Sequence, residues 1–204
     1  MGAAAQALLM VGAAAETNVV FDAGSATGTW TLTDGDHTAE VTGGASIRSI
    51  LGTLGHSSGK KYFELVFVSG GSFGTAVRDD IGFTGDNPVP SGSSVAGNGA
   101  AYVRGGDIRV MGSLTGAVTA LSSADVVGVA IDFSAGKAWF SLNGTYVSGD
   151  PAAGTSPSVT GLAPGTYYPG VSCESGSSMI ATLRALADDF DHPIPTGFTS
   201  WGTT

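Results

Sequence analysis

One segment constrains the fold more than any other. Ala124 to Gly144 reads ADVVGVAIDFSAGKAWFSLNG. Two apolar runs, Val126 to Phe133 and Lys137 to Leu142, are separated by Ser134-Ala135-Gly136 and closed by Asn143-Gly144. Short runs of β-branched and aromatic residues bounded by tight-turn dipeptides form antiparallel strands. Alternation along the second run puts Ala138, Phe140 and Leu142 on an inward face and Trp139 on the other. Gly128 permits close sheet packing. Asp125 stands at the strand entry, where a polar cap is useful.

The same punctuation recurs along the chain. Asn18 to Phe21 and Gly28 to Thr33 read as strands. Asp34-Gly35-Asp36 reads as a turn with Gly35 at positive φ, and His37 to Val41 as the returning strand. Ala45 to Leu51 follows. Tyr62 to Val68 (YFELVFV) is apolar on both faces, with Phe63, Leu65 and Phe67 on one side, and is expected at the centre of a sheet. Asp80 to Phe83 is short, and residues 86–98 read as a loop. Ala100 to Arg104 and Asp107 to Met111 flank Gly105-Gly106, a two-residue hairpin turn in prospect. Gly149 to Pro164 is a second long loop. Tyr167 to Cys173 and Met179 to Leu183 read as a last hairpin, Ala185 to Phe190 as a short helical turn, and the proline-bearing tail from His192 to Trp201 as extended. The predicted architecture is all-β: one antiparallel double-sheet sandwich over residues 18–204, preceded by an apolar arm over residues 1–17.

Composition narrows the function. Thirty-three glycines stand against eight Lys plus Arg, and net charge is -9. The few basic residues are scattered, so there is no basic stripe for nucleic acid, and an acidic surface disfavours anionic membranes. Hydrophobic residues at 42% argue for a packed fold over disorder. The apolar stretch Met1 to Ala15 lacks the basic flank of a signal peptide, because the first basic residue is Arg48. It is too short and alanine-rich for a membrane span. It reads as an arm, with Leu8, Leu9, Met10 and Val11 as the apolar contact of a docking peptide. The single cysteine, Cys173, allows no intrachain disulfide and no zinc-ligand spacing. It is expected as a small buried hydrophobe.

Several motifs together resemble the SPRY domain. GKKYFEL at Gly59 to Leu65 is similar to the family's Gly-Lys-aromatic-Tyr/Phe-Glu strand, with Lys61 in place of the usual aromatic. Ile81-Gly82, AYVRGGDI at Ala101 to Ile108, the 124–144 segment, YYPGVSCESGSSMIATL at Tyr167 to Leu183 and PTGFTSW at Pro195 to Trp201 follow in the family's order. The resemblance covers about residues 40 to 201. It implies a concanavalin-like double sheet, a protein-interaction role, and a binding surface made by loops at one end. The richness in Gly, Ser, Thr and Ala is similar to SPRY-like domains of bacteriophage virion proteins.

Catalytic patterns are sparse. A Ser-His-Asp arrangement around His192 is conceivable from composition alone, with Asp188, Asp189 and Asp191 nearby, but no nucleophile-elbow motif accompanies it. Capping or surface roles are expected for His37, His56 and His192. The carboxylate pairs Asp79-Asp80 and Asp188-Asp189 point to opposite faces if extended. Asp34 and Asp36 flank Gly35 without the rest of a calcium loop. GGSFGT at Gly70 to Thr75 lacks a phosphate-binding lysine. No catalytic residue, metal site or cofactor is predicted.

Arginine and aromatic residues near loops are the usual recognition anchors. Arg78 and Asp79, before the Ile-Gly strand, and Tyr102, Arg104 and Arg109, around one hairpin, are the candidates. Trp139 on the outer face is a further candidate for a neighbouring subunit. The expected function is non-enzymatic: an adhesion or decoration module of a phage or phage-like virion, held to other virion proteins by the arm. It would touch a host-surface glycan or protein through its loops and is expected to oligomerise. Two alternatives stay open: a carbohydrate-active or carbohydrate-binding bacterial protein, for which the strands offer Glu64 and Asp132, and an intracellular SPRY-type adaptor that binds a peptide.

Overall fold

The computed structural model describes residues 15–44, 46–70, 79–84, 99–110 and 113–204. The strands, in chain order, are β1 (Phe21–Thr27), β2 (Thr31–Thr33), β3 (Thr38–Val41), β4 (Arg48–Gly52), β5 (Lys60–Gly70), β6 (Asp79–Thr84), β7 (Ala100–Val103) and β8 (Asp107–Val110). They continue with β9 (Ser113–Ala117), β10 (Asp125–Asp132), β11 (Lys137–Leu142), β12 (Thr145–Tyr146), β13 (Val159–Thr160), β14 (Tyr168–Cys173), β15 (Met179–Arg184) and β16 (Thr199–Ser200). A single 3-10 turn at Ala187–Asp189 is the one helical element among the described residues.

The strands form two sheets. A seven-stranded sheet runs β1-β4-β14-β6-β7-β8-β9, and a nine-stranded one runs β12-β11-β10-β5-β15-β3-β2, with β13 added on β11 and β16 on β5. Phe63, Leu65, Phe67, Val127, Val129, Ile131, Phe140, Ile50, Tyr102 and Val171 fill the space between them. The predicted sandwich is therefore the observed one. β5 is central, antiparallel to β10 from Lys60↔Asp132 to Phe67↔Asp125 and to β15 on its other side.

The anchoring hairpin forms as its sequence requires. β10 and β11 pair from Val127↔Leu142 to Asp132↔Lys137. Asp125 caps the strand entry, accepting from the Ser122 amide at 2.6 Å and from Asn143 Nδ2 at 2.8 Å. A Cβ on Gly128 would stand 2.4 Å from Ser141 Oγ and 2.5 Å from the Tyr62 hydroxyl, so glycine there makes room for the Tyr62 ring. Cys173 is buried and in no disulfide.

Four expectations are corrected. The first strand begins at Phe21, not Asn18, and Gly28 to Trp30 lie outside β2. Not only Gly35 but also Asp34 and Asp36 take positive φ, at 55° and 69°. Short polar side chains tolerate that region. The β7–β8 turn has three residues, because Val103 pairs with Asp107 and Arg104 joins the two glycines. The expected last hairpin is not one: β14 lies between β4 and β6, whereas β15 lies between β5 and β3. A link as short as Glu174 to Ser178 can close a hairpin or arch across the roughly 10 Å between sheets. Here it arches, because Arg48 draws the Glu174 and Ser177 carbonyls inward at 3.2 and 2.7 Å.

After Arg184 the chain leaves the edge of β5, crosses the outer face of the nine-stranded sheet, and returns to the same edge as β16, parallel at Lys61 and Tyr62. This strap carries Phe190, Ile194 and Phe198 onto a second apolar cluster of Tyr62, Ala130 and Trp139. It ends in Trp201, which inserts between the sheets against Phe63 and His56 at 5.0 Å from each. The beginning of the described chain is tied down beside it. The Thr17 amide donates to the Gly202 carbonyl at 2.7 Å, and the Glu16 carboxylate accepts from Ser200 and Thr203. Glu16 and Thr17 thus belong to the folded unit. Leu8, Leu9, Met10 and Val11 lie outside the described residues.

His56 sits at this end, half-buried, with Nε2 donating to the Trp201 carbonyl at 2.7 Å. Burial pulls its pKa below the ordinary 6.5, and the nearby Lys61 charge adds to that against the raising effect of the hydrogen bond. The unfolded chain then binds this proton more readily than the folded one, so stability is full above about pH 6.5 and is lost as pH falls towards the lower folded value. The thermal midpoint is expected to drop between about pH 7.5 and pH 5.5. His56→Gln, which keeps a donor for Trp201, flattens that drop. Equal slopes for variant and parent would show that His56 is not the source.

A candidate binding surface at one end of the sandwich

The two ends of the sandwich differ. At the Lys60 end of β5 lie Glu16, Trp201 and Thr203. At the Gly70 end, roughly 30 Å away at about 3.3 Å per strand residue, gather the start of β6, the β7–β8 turn, the segment from Val118 to Ala124 and the β14–β15 link. A cavity of about 570 Å³ opens there, lined by Phe67, Ser69, Arg104, Leu121, Ser122 and Ser123 among others.

The cavity wall is built by hydrogen bonds between segments distant in sequence. The Val118 amide donates to the Gly106 carbonyl at 2.8 Å and the Leu121 amide to the Arg104 carbonyl at 2.9 Å. The Tyr102 hydroxyl donates to the Thr119 carbonyl at 2.6 Å. Gly106 is required: its φ is 92°, and a Cβ there would stand 2.6 Å from the Val118 carbonyl oxygen. These bonds stitch the Val118–Ser123 segment onto the turn and fix where Arg104 starts. The half-buried Arg104 guanidinium lies 5.6 Å from the centre of the Phe67 ring, a cation–π arrangement. The Ser122 and Ser123 segment is fixed in turn by Asp125 and by a hydrogen bond from Ser123 to the Val68 carbonyl.

Behind the cavity, Arg48 holds the neighbouring loops. It is 4% exposed. Its guanidinium donates to the carbonyls of Thr42 at 2.7 Å, Glu174 and Ser177. No carboxylate pairs with it among the described residues; its described partners are these carbonyl oxygens and the Cys173 sulfur at 3.9 Å.

The residues singled out in the sequence divide. Arg104 lines the cavity. Asp79 opens β6 at the same end, in register with Cys173, and Arg109 pairs through its backbone with Ala101 and Leu114. The side chains of both lie outside the described residues, as does Arg78 entirely. Tyr102 is corrected from a contact residue to a core one. It is 0% exposed, its ring packs edge-on against Phe140, and burial, with the Asp125 charge nearby, pushes its phenol up to about 12. Trp139 is on the outer face as expected but is likewise 0% exposed. Phe198 covers it and its indole donates to the Thr155 carbonyl at 2.9 Å. Sequence reasoning missed Phe67 as the platform beneath Arg104, because its alternation marked it only as core. It also missed that the strap would bury Trp139.

The carboxylates offered for catalysis are occupied structurally. Glu64 is 0% exposed. It accepts from the Tyr62 hydroxyl at 2.9 Å, the Asp191 amide at 2.8 Å, and the His192 amide and Nδ1 at 3.1 and 3.2 Å, with Arg184 at 3.9 Å. Arg184 in turn pairs with Asp191. His192 therefore faces Glu64, not a serine. Burial tends to raise the Asp132 pKa, but hydrogen bonds from Ser134, Lys60 and the Ala135 amide outweigh it and hold this carboxyl below its usual range.

The fold is similar to that of solved structures. The SPRY domain of human HERC1 superposes with a TM-score of 0.60 at 17% identity, covering 80% of this chain and 96% of that one. The chain has the SPRY fold. The TRIM65 PSpry domain matches with a TM-score of 0.55 at 14% identity, over 82% of this chain and 92% of that one. No protein-family model and no curated protein sequence matches the chain. On this SPRY frame, GKKYFEL acquires a physical meaning, since its glutamate is the anchor of the strap.

Proposed function

We propose that this chain is a non-enzymatic binding module that seats a polypeptide segment in the cavity at the Gly70 end. The observation that carries the reading is the Arg104 guanidinium, half-exposed and held over Phe67 on a turn stitched to its neighbours. Arginines ordered in this way lose little entropy on binding and are typical interface anchors. Glu64 and Asp132, engaged in the fold, count against the carbohydrate-active alternative.

We further propose that the module is carried on a phage or phage-like particle as an adhesion or decoration subunit, docked through Leu8, Leu9, Met10 and Val11. The acidic, Gly- and Ser-rich composition supports this reading. So does the position of Glu16, at the end opposite the cavity, which leaves the cavity free when the arm is held. The SPRY fold equally suits an intracellular peptide-binding adaptor.

Selection of a displayed random-peptide library against the protein tests the first proposal. Peptides recovered on the parent are expected to bind Arg104→Ala at least tenfold more weakly. Undiminished binding of every recovered peptide would place the interface elsewhere. Light scattering on the full chain and on a chain lacking residues 1–14 tests the second. An oligomer, or particle binding, that vanishes on truncation supports docking, and identical monomers with no particle binding reject it.

A further inference from the structure

A second recess lies on the outer face of the seven-stranded sheet, away from Arg104. β1 is the edge strand, and its register on β4 jumps between Asp22↔Leu51 and Thr27↔Ser49. The four residues between arch off the sheet and leave a hollow of about 360 Å³, bordered by Asp22, Ser25, Gly52, Thr53 and Tyr168. That volume is at the low end of small-molecule sites, about 300–1,000 Å³. Tyr168 opens β14 at the end far from Cys173, so the hollow is about five strand residues, roughly 17 Å, from the loop end.

The lining has a definite chemistry. Tyr168 is half-buried, and its ring rests on the backbone of Gly55, where a Cβ would stand 2.6 Å from the ring. The ring is thus a fixed apolar plate at the wall of the hollow. Asp22 Oδ1 accepts from the Gly24 amide at 2.8 Å, and Oδ2 has no partner among the described residues. Thr53 Oγ1 accepts from the Val20 amide at 3.3 Å, which leaves its hydroxyl proton to give. The Tyr168 hydroxyl has no partner among the described residues either. Ser25 is spent, donating to the Asp22 carbonyl at 2.7 Å and accepting from the Leu51 amide at 2.9 Å. The hollow therefore offers one carboxylate acceptor, two hydroxyl donors and one aromatic plate, with no basic residue.

We infer that this hollow is a binding site for a neutral saccharide. A sugar ring presents vicinal hydroxyls, each both donor and acceptor, and a C–H face that packs on an aromatic plate. The Asp22 carboxylate, with no Lys or Arg among the described lining residues, disfavours anionic ligands. An organic cation would use Asp22 and the ring but neither donor hydroxyl, whereas a saccharide hydroxyl can accept from both. The inference is independent of the peptide cavity.

The test is an NMR titration of the ¹⁵N-labelled full chain with glucose, galactose, mannose, N-acetylglucosamine and their β-linked disaccharides, and with tetramethylammonium as the cation. At least one saccharide is expected to shift the Gly24, Gly52 and Thr53 amides. Tyr168→Ala should weaken that binding at least tenfold, Tyr168→Phe and Asp22→Asn by several-fold, and Arg104→Ala not at all. Thermal melts confirm that each variant is folded. The inference is overturned if no saccharide shifts these amides at about 100 mM, if tetramethylammonium alone does so, or if Tyr168→Phe and Asp22→Asn leave saccharide affinity unchanged.

Discussion

Glu64→Ala is expected to lower the unfolding free energy by about 3–5 kcal/mol, the range seen when one member of a buried, paired charge is removed. The mechanism is specific. Two backbone amides, Asp191 and His192, and the Tyr62 hydroxyl lose their acceptor at once, and Arg184 keeps only Asp191. Each buried group left unpaired costs about 1–3 kcal/mol, and the strap around Asp191 and His192 loosens although Trp201 still holds its far end. For a domain of this size the thermal midpoint should fall by about 10 °C. Hydrogen exchange should speed up first at the Asp191 and His192 amides. Glu64→Gln is expected to fall between parent and alanine, since it keeps one acceptor oxygen but turns an NH₂ towards donors. A loss below about 1 kcal/mol for Glu64→Ala would mean that water satisfies the strap and that Glu64 is not its anchor.

How much of this was legible in the sequence depends on the range of the interaction. The β10–β11 hairpin was fully legible, because alternation, turn residues and pairing are local and Asn143-Gly144 marks its end. The central place of β5 was legible from its two apolar faces. The arch between β14 and β15 was not. A five-residue link is compatible with a hairpin, and what decides against it is Arg48, 126 positions away from Glu174. β9 and β13 carry too little periodicity to be read from their residues alone. In the binding surface, Arg104 was identified from its type and its place beside a turn. Tyr102 and Trp139 were given the same meaning and proved to be core, because aromatic residues carry the same signal whether covered or exposed. Their covers, Thr119 with Phe140 and Phe198 with Thr155, are supplied by segments no local pattern points to. The saccharide hollow was not visible at all, since it arises from a register jump in β1 and from the meeting of Asp22 with Tyr168 across two strands.

Trp201→Ala is the second large effect expected, about 3–5 kcal/mol from the lost ring and the cavity it leaves. The ring closes the Lys60 end of the core against Phe63 and His56, and also meets Phe133 at 6.2 Å. Its indole donates to the Leu54 carbonyl at 2.8 Å, so alanine also orphans an acceptor. Trp201→Phe keeps most of the apolar volume and loses only that bond, and should cost roughly a third as much. Trp201 and Glu64 hold the two ends of one strap, some ten residues apart. If the strap docks as a unit, releasing either end removes much of what the other contributes. The double variant should then lose clearly less than the sum of the single losses, with a coupling of about 1 kcal/mol or more. Denaturant melts of the four proteins measure it. Strict additivity would show two independent anchors, and the strap from Ala185 to Trp201 would then have to be treated as two separately docked pieces.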